Sequence, residues 1–467
     1  PKQSNLQKKV EKRMVELAEE NAKHLGLSRR QFLQTSCGMA TAFLAMNEIY
    51  GGGVFNVSEA EARDPELTLA RTNELAGQFI FDDQTHFLRD DFPHDAILGL
   101  GEFAAEHWNP KLKEEGLSLT RYKFENYIAE LWYRSDTKMA LLSGAPFDDP
   151  SWWLLGNDQI VAARDMINDF AGTTRMLGHS VITPGQDGWM DEAERAMSEL
   201  KPNSWKSYTI GDPLSPSKYP WRLDDEKLMY PFYEKSLKAG INTICIHKGL
   251  LPPDYETSFK GVWKYATVDD LPKAAKDWPE MNFVIYHSAL RPFLELPDQA
   301  WKEFEESGGY IKWASDLARI PEEHGVSNVY GELGSTFANS AVAHPRFCAA
   351  FIGTLVKGLG ADHVVWGTDT VWYGSPQWQI EAMRRLEVPE DMQKKYKLPS
   401  LGGPNSLTKQ AIFGLNSARI YGLSMNEATN MPDLPNFSED KIAGLAAKFR
   451  EAGGGPSNKR FGYTRKA

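Results

Sequence analysis

The stretch DEKLMYPFYEKSLKAGINTICIHKG, residues 225–249, contains a complete helix-to-strand unit. Its first part has the apolar spacing of a helix and closes at Gly240, a residue type that commonly ends helices. The β-rich run INTICIHKG (241–249) follows at once and contains His247 near its end. The unit therefore predicts a buried strand that carries an imidazole at its carboxyl end.

The same kind of strand recurs along the chain, and helical stretches separate the copies. The other β-rich runs are residues 79–87, 138–146, 176–185, 205–212, 282–290, 328–335 and 363–372. Strands that alternate with helices of this length form right-handed βαβ units in a parallel sheet. Eight such units favour a closed (β/α)8 TIM barrel of the α/β class. No glycine-rich dinucleotide loop follows the first run, which argues against an open doubly wound sheet.

The rest of the chain predicts additions to this barrel. The expected parts are a helical N-terminal arm (1–76), the barrel itself (77–425) and a polar, Gly/Pro-rich C-terminal extension (426–467). Residues 88–137 are too long for a simple crossover and predict a cap insertion after the first strand. Residues 387–406 predict a second insertion, after the eighth strand, and residues 407–423 predict a final helix.

The arm allows two interpretations. SRRQFLQTSCGMATAFLAM (28–46) resembles a twin-arginine export signal, because paired arginines precede a moderately apolar run. That interpretation predicts an exported, periplasmic protein. Alternatively, Ser28 and Gln31 form the capping box of an ordinary helix, and a cytoplasmic protein retains the arm. We expect the arm to be ordered and to pack on a partner subunit of a homo- or hetero-oligomer.

Composition excludes several classes of partner. The formal net charge of −11 disfavours nucleic acid and anionic membranes, since both attract basic surfaces. No apolar stretch approaches the roughly 20 residues of a membrane-spanning helix. The three cysteines, Cys37, Cys245 and Cys348, are far apart and indicate neither a disulfide framework nor a cysteine zinc site. A small molecule remains as the expected substrate.

Residues capable of chemistry occur where the predicted strands end. They are His86 on the first strand, His247 on the fifth, His287 on the sixth, Glu332 on the seventh and Asp369 on the eighth. In a TIM barrel these ends meet at the face that carries active sites. Imidazoles with a carboxylate suit Zn, Mn or Fe better than Ca, so we expect a divalent transition metal. Glu332 can be a metal ligand, an acceptor for a ligating imidazole, or a buried ion-pair partner.

Two further residues lie inside predicted strands. Lys206 can face the pocket from the fourth strand, but a structural ion pair is an equal interpretation. Cys245 points to the same face as His247 and is best explained as a packed, unreactive thiol. The sequence assigns no partner to the remaining histidines, His179 among them.

Three motifs in the expected order resemble the amidohydrolase superfamily, in particular the branch that contains aminocarboxymuconate semialdehyde decarboxylase. GLGADHVVWGTD (358–369) resembles the eighth-strand signature of that branch. AIFGLNSARIYGL (411–423) resembles its closing helix, and residues 222–249 resemble its passage from the fourth to the fifth strand. The resemblance covers about residues 77–423.

This resemblance implies roles for the residues at the strand ends. His86 and His247 are expected to bind metal, and Asp369 to act as ligand and general base. His287 is expected to orient the attacking water or to bind a second ion. Gln84 departs from the family, which has a histidine at that position, and a neutral amide is a poorer ligand for these metals. One or two ions are expected. Gln84 is a weak ligand, a residue that orients the ligands, or the mark of a site with other chemistry, and Glu332 replaces the lost ligand or helps to hold a second ion.

The resemblance implies a metal-dependent hydrolase or decarboxylase of a small organic substrate, with Asp369 and His287 as the catalytic residues. Two alternatives stay open. One is a dinuclear Fe or Mn monooxygenase that uses oxygen on the same fold, with Glu332 in an altered ligand set. The other is a non-catalytic subunit of a hetero-oligomer, in which Gln84 marks a decayed site.

Overall fold

The computed structural model of the protein describes residues 4–107, 116–292 and 297–454. Within them an eight-stranded sheet runs in sequential order, and each strand is parallel to its neighbours. The strands are β1 Phe81–Thr85, β2 Met139–Leu142, β3 Met176–Val181, β4 Ser204–Tyr208, β5 Thr243–His247, β6 Asn282–Tyr286, β7 Val329–Glu332 and β8 Val364–Val365. Each strand lies inside the run predicted for it, except that β4 begins one residue earlier, at Ser204. The predicted parallel sheet is therefore confirmed.

Because β8 is short, the barrel closes mainly through the loop that follows it. The Asp83 N–H donates to the Trp366 carbonyl at 2.8 Å, and the Asp369 N–H donates to the Gln84 carbonyl at 3.0 Å. Gly367 permits this close approach, because a Cβ at that position would overlap a carboxylate oxygen of Glu332. The predicted TIM barrel is therefore confirmed, and its closing seam lies beside the predicted site.

Helices surround the sheet and connect its strands. The arm contains α1 Asn5–His24, α2 Arg29–Phe32, α3 Ser36–Tyr50 and α4 Pro65–Leu75. The barrel and its insertions contain α5 Gly99–His107, α6 Phe124–Ile128, α7 Asn157–Ala171, α8 Trp189–Arg195, α9 Tyr230–Lys238, α10 Tyr255–Ser258, α11 Leu271–Asp277, α12 Pro297–Glu306, α13 Ala314–His324, α14 Thr336–Ala343, α15 Pro345–Leu359, α16 Gln377–Arg385, α17 Glu390–Tyr396, α18 Leu407–Gln410 and α19 Asn416–Ile420. The extension contains α20 Lys441–Phe449.

The barrel interior is apolar toward the amino ends of the strands. One cluster there contains Phe79, Phe81, Met139, Leu141, Leu177 and Ala418. A second contains Cys245, Val284, Tyr286, Tyr330, Val365 and Ile420. Ala418 and Ile420 belong to α19, so the final helix plugs this end of the barrel. The opposite end, where the strands terminate, is left for polar side chains.

The N-terminal arm packs on its own chain. α1 and α3 lie against each other, and Val10 and Met14 of α1 are fully buried. Ser28 and Gln31 form the predicted capping box, with the Gln31 N–H donating to Ser28 Oγ at 3.3 Å. The packing of the arm on a partner subunit stays a prediction. Within its own chain, α3 lies against α15 of the barrel.

The apolar part of the twin-arginine-like segment is α3, and it belongs to the folded core. Met39, Phe43 and Met46 are all buried. At the end of α3 the Tyr50 hydroxyl donates to the Ala343 carbonyl at 2.9 Å. Export through this segment stays a prediction. No helix within the described residues combines the length and apolar character needed to cross a bilayer.

The insertions and the tail are more ordered than the sequence indicates. The predicted cap holds α5 and α6, although its residues 108–115 lie outside the described residues. The extension, predicted only as a polar tail, contains the helix α20 within its described part. Asp440 caps this helix by accepting from the Ala443 N–H at 2.5 Å, and Ile442 and Ala446 are buried against the barrel.

Candidate active site

The strand ends bring the predicted site residues to one face of the barrel. Gln84 and His86 flank the end of β1, and His287 directly follows β6. His247 and Glu332 are the last residues of β5 and β7. Asp369 lies in the loop after β8 and is 7% exposed, whereas His86 and His287 are 4% and 1% exposed. The site is therefore nearly closed to solvent.

Asp369 is surrounded by hydrogen-bond donors. Its Oδ1 lies 3.2 Å from His86 Nε2 and accepts from Gln84 Nε2 and Trp372 Nε1, each at 3.2 Å. Its Oδ2 accepts from Ser335 Oγ at 2.5 Å. Burial opposes ionisation, but the hydrogen bond and charge of His86 outweigh it and hold the pKa of Asp369 at about 2. The side chain is therefore a carboxylate at neutral pH.

Three imidazoles of the site each have one ring nitrogen bonded to a backbone carbonyl. The pairs are His86 Nδ1 with Ser143 O at 2.8 Å, His287 Nδ1 with Gly334 O at 2.8 Å, and His247 Nε2 with Gly249 O at 3.1 Å. A carbonyl only accepts, so these nitrogens carry the protons. Burial lowers the pKa of His287 to about 4 and that of His247 well below its usual range. The second nitrogen of these two neutral rings is then an electron-pair donor.

This donor set fits a divalent transition metal. Metal-binding histidines usually donate their other N–H to a carbonyl or carboxylate, as these three do. His86 Nε2 and Asp369 Oδ1 are hydrogen-bonded at 3.2 Å, close enough for one cation that replaces the shared proton to contact both atoms. His247 Nδ1 is buried and has no hydrogen-bond partner within the described residues.

The donors are present but not yet assembled around one point. In residues 4–107, 116–292 and 297–454, no three His, Cys, Asp or Glu side chains stand together as a ready-made metal shell. The His247 and His287 rings are 4.3 Å apart between centroids, while His86 lies with Asp369. Binding one ion with three side chains would therefore require side-chain shifts.

Gln84 lies between two of these donors. Its Nε2 is 3.3 Å from His86 Nε2 and donates to Asp369 Oδ1. Its Oε1 is buried and accepts no hydrogen bond from the residues that the structure describes. The amide therefore orients His86 and Asp369 directly, and its predicted role as a weak ligand stays a prediction.

Glu332 holds the backbone that presents His287. One carboxylate oxygen accepts the His287 N–H at 3.0 Å, and the other accepts the Gly334 N–H at 2.5 Å. His287, Ser288 and Ala289 have φ values of 66°, 46° and 53°, a left-handed conformation that costs non-glycine residues energy. Burial raises the pKa of Glu332 despite these two bonds. Of the roles left open for Glu332, these contacts match that of an acceptor, although for a backbone rather than a ring.

Sequence reasoning did not identify several residues of this site. Ser335 and Trp372 bind the carboxylate of Asp369, yet nothing in their spacing separates them from packing residues. His179, which had no assigned partner, lies inside the barrel on β3. Its Nδ1 is 2.9 Å from Ser143 Oγ, and its Nε2 is 3.3 Å from the Tyr286 hydroxyl. Its two-residue alternation with Val181 in a predicted strand is a signal that could have placed it there.

The sequence matches the model of one protein family, described as amidohydrolase, over residues 133–423. This range contains His247, His287, Glu332 and Asp369 but not β1, which carries Gln84 and His86. No curated protein matches the sequence.

Solved structures of low sequence identity resemble this chain. An uncharacterised TIM-barrel protein from Bordetella bronchiseptica is 13% identical, with 73% of this chain and 98% of that chain covered and a TM-score of 0.44. A manganese-bound 5-carboxyvanillate decarboxylase from Novosphingobium aromaticivorans is 15% identical, with 74% and 98% covered and a TM-score of 0.44. A 2,6-dihydroxybenzoate decarboxylase from Rhizobium is 13% identical, with 74% and 99% covered and a TM-score of 0.43.

Proposed function

Because this chain belongs to the amidohydrolase family, we propose that it is a metal-dependent hydrolase or decarboxylase of a small organic substrate. The observation that carries the proposal is the tautomeric state of His247 and His287. Each of these two rings has its N–H fixed by a backbone carbonyl, so its other nitrogen is an electron-pair donor. Together with the carboxylate of Asp369 they form the N/O donor set that Zn, Mn and Fe prefer.

We assign the ion to His86, His247 and Asp369. When bound, the ion would act as a Lewis acid toward substrate oxygen and would lower the pKa of coordinated water. His86 is oriented by Ser143 and Gln84, and Asp369 by Ser335 and Trp372.

The remaining chemistry concerns protons. In hydrolysis, the Asp369 carboxylate accepts a proton from the attacking water, and its low pKa keeps it ready as a base above about pH 2. In decarboxylation, the bond from carbon to the leaving CO2 breaks, and Asp369 or His287 first takes up a proton from solvent and then delivers it to that carbon. His287 is suited to steady substrate oxygen, because Glu332 and Gly334 fix both its backbone and its ring.

Metal titration tests this proposal without knowledge of the substrate. Protein stripped with a chelator is titrated with Mn²⁺ and Zn²⁺ in a calorimeter. We expect the wild type to bind at least one ion, and His247→Ala and Asp369→Asn to bind it at least about tenfold more weakly. His24→Ala, an exposed histidine on α1, is the matched control and should bind like the wild type. A wild type that binds neither ion, or variants with unchanged affinity, would contradict the proposal.

A further inference from the structure

Three lysines within the described residues are fully buried, and they differ in their partners. Lys206, Lys248 and Lys409 each have 0% of their surface exposed. Lys248 Nζ donates to Thr209 Oγ1 at 3.3 Å, the Tyr265 carbonyl at 3.0 Å, the Thr267 carbonyl at 2.6 Å and Asp270 Oδ2 at 3.2 Å. Lys409 Nζ donates to the Arg384 carbonyl at 2.9 Å. Lys206 Nζ has no hydrogen-bond acceptor among the residues that the structure describes.

Lys206 lies inside the barrel, below the strand ends. It is the central residue of β4, in register with Cys245 of β5, and Tyr208 two residues later is in register with His247. Its Nζ is 3.8 Å from the centroid of the Tyr286 ring and 5.1 Å from that of Tyr208. Aromatic faces attract an ammonium group but leave its N–H donors unfilled.

The neighbouring carboxylates are committed elsewhere. Asp369 and Glu332 are close enough to Lys206 to act on its charge. However, Asp369 accepts from Gln84, Trp372 and Ser335, and Glu332 accepts two backbone N–H groups. Neither forms an ion pair with Lys206. An unpaired cation in the interior costs several kcal/mol unless a counter-charge arrives, so this position is unfavourable for the chain alone.

We propose that Lys206 anchors an anionic oxygen group, such as a carboxylate, of the molecule that enters the barrel mouth. This inference rests on the proposed function for the location of the site. It adds that the ligand is negatively charged and that Lys206 binds that charge. Tyr208, whose ring centroid lies 5.1 Å from Lys206 Nζ, is 8% exposed, and Asp369 at the barrel mouth is 7% exposed. Burial lowers the pKa of Lys206 to about 8, which still leaves most of the population charged at neutral pH.

Benzoate and benzamide form a matched pair of probes, because they have the same shape and differ in charge. Binding is measured by calorimetry on chelator-stripped protein and again on Mn²⁺-loaded protein. We expect the wild type to bind benzoate at least about tenfold more tightly than benzamide, and Lys206→Met to lose that preference. Lys409→Met removes an equally buried lysine outside the barrel and should keep it.

Several outcomes would overturn the inference. They are equal binding of the two probes by the wild type, no binding of either, and unchanged benzoate affinity in Lys206→Met. A Lys206→Met protein that fails to fold also counts against it, because that result would assign the lysine to the fold. Failure to bind Mn²⁺ would contradict the proposed function alone, since the stripped protein tests Lys206 independently.

Discussion

Lys206 and Lys248 are equally buried, yet their surroundings differ in one respect. Lys248 follows β5 and sits in a shell of acceptors that includes the carboxylate of Asp270. Lys206 sits inside the barrel among aromatic rings, with no hydrogen-bond acceptor in the part of the chain that the structure describes. Burial lowers the pKa of both ammonium groups, and for Lys248 the charge of Asp270 opposes that shift.

The difference shows how the partners of a buried charge distinguish a residue that stabilises the fold from one that binds a ligand. A satisfied buried charge is strongly coupled to its neighbours, so its loss harms the fold. An unsatisfied one weakens the fold and persists only where it has another use. The two lysines should therefore respond to the same substitution with opposite signs.

The largest expected effect is on Lys248. Lys248→Met should lower the free energy of unfolding by about 3–5 kcal/mol, because it leaves the Asp270 carboxylate buried without its counter-charge and removes the donor to the Thr267 carbonyl. Urea denaturation followed by circular dichroism measures the change. Lys238→Met, at an exposed ion pair on α9, is the control and should change stability by less than about 0.5 kcal/mol. A loss of similar size in both variants would break the comparison.

The next effect should have the opposite sign. Lys206→Met should raise the free energy of unfolding by about 1–3 kcal/mol in ligand-free protein, since a methionine of similar length buries no charge and can pack on Tyr286. The same denaturation experiment applies at pH 7. If Lys206→Met is destabilised as strongly as Lys248→Met, then Lys206 has a structural partner and the contrast is lost.

The smallest effect concerns pH. The pKa of Lys206 is about 8 in the folded protein and 10.5 when unperturbed. Between pH 8 and 10.5 the lysine is therefore mostly protonated in the unfolded state and mostly neutral in the folded state. Below about pH 8 the wild type is therefore destabilised by the full cost of the buried charge. Its free energy of unfolding rises as the pH increases toward 10.5. We expect the stability gap between Lys206→Met and wild type to shrink between pH 7.5 and 9.5. A gap that stays constant would show that the ammonium is not the source of the penalty.

The sequence predicted the barrel well because barrel strands obey local rules. Each run of β-rich residues overlaps an observed strand, and the alternation of strand and helix alone places His247 at the terminus of its strand. β8 is the exception in length. The run 363–372 predicts a long strand, but after Val365 the chain must pass Gly367 and turn so that Asp369, at φ 58°, faces the site.

The site was predictable in its members but not in its contacts. Strand ends converge, so His86, His287 and Asp369 could be grouped from their positions alone. The contacts of Glu332 could not be predicted from its position. Its partners are backbone N–H groups of a left-handed turn, and no residue pattern in the sequence predicts that turn. For α20 the signal was available: Asp440 before Ile442 and Ala446 is an N-cap followed by apolar residues four apart.

The docking of the arm has a consequence for the order in which the protein is made. Tyr50 bonds to Ala343, and the Glu387 N–H donates to the Val54 carbonyl, so partners of the arm lie in the last third of the chain. A ribosome therefore releases α3 long before its docking surface exists. Until then the face of α3 that contacts α15 is uncovered, so we expect slow synthesis and early truncation to favour aggregation.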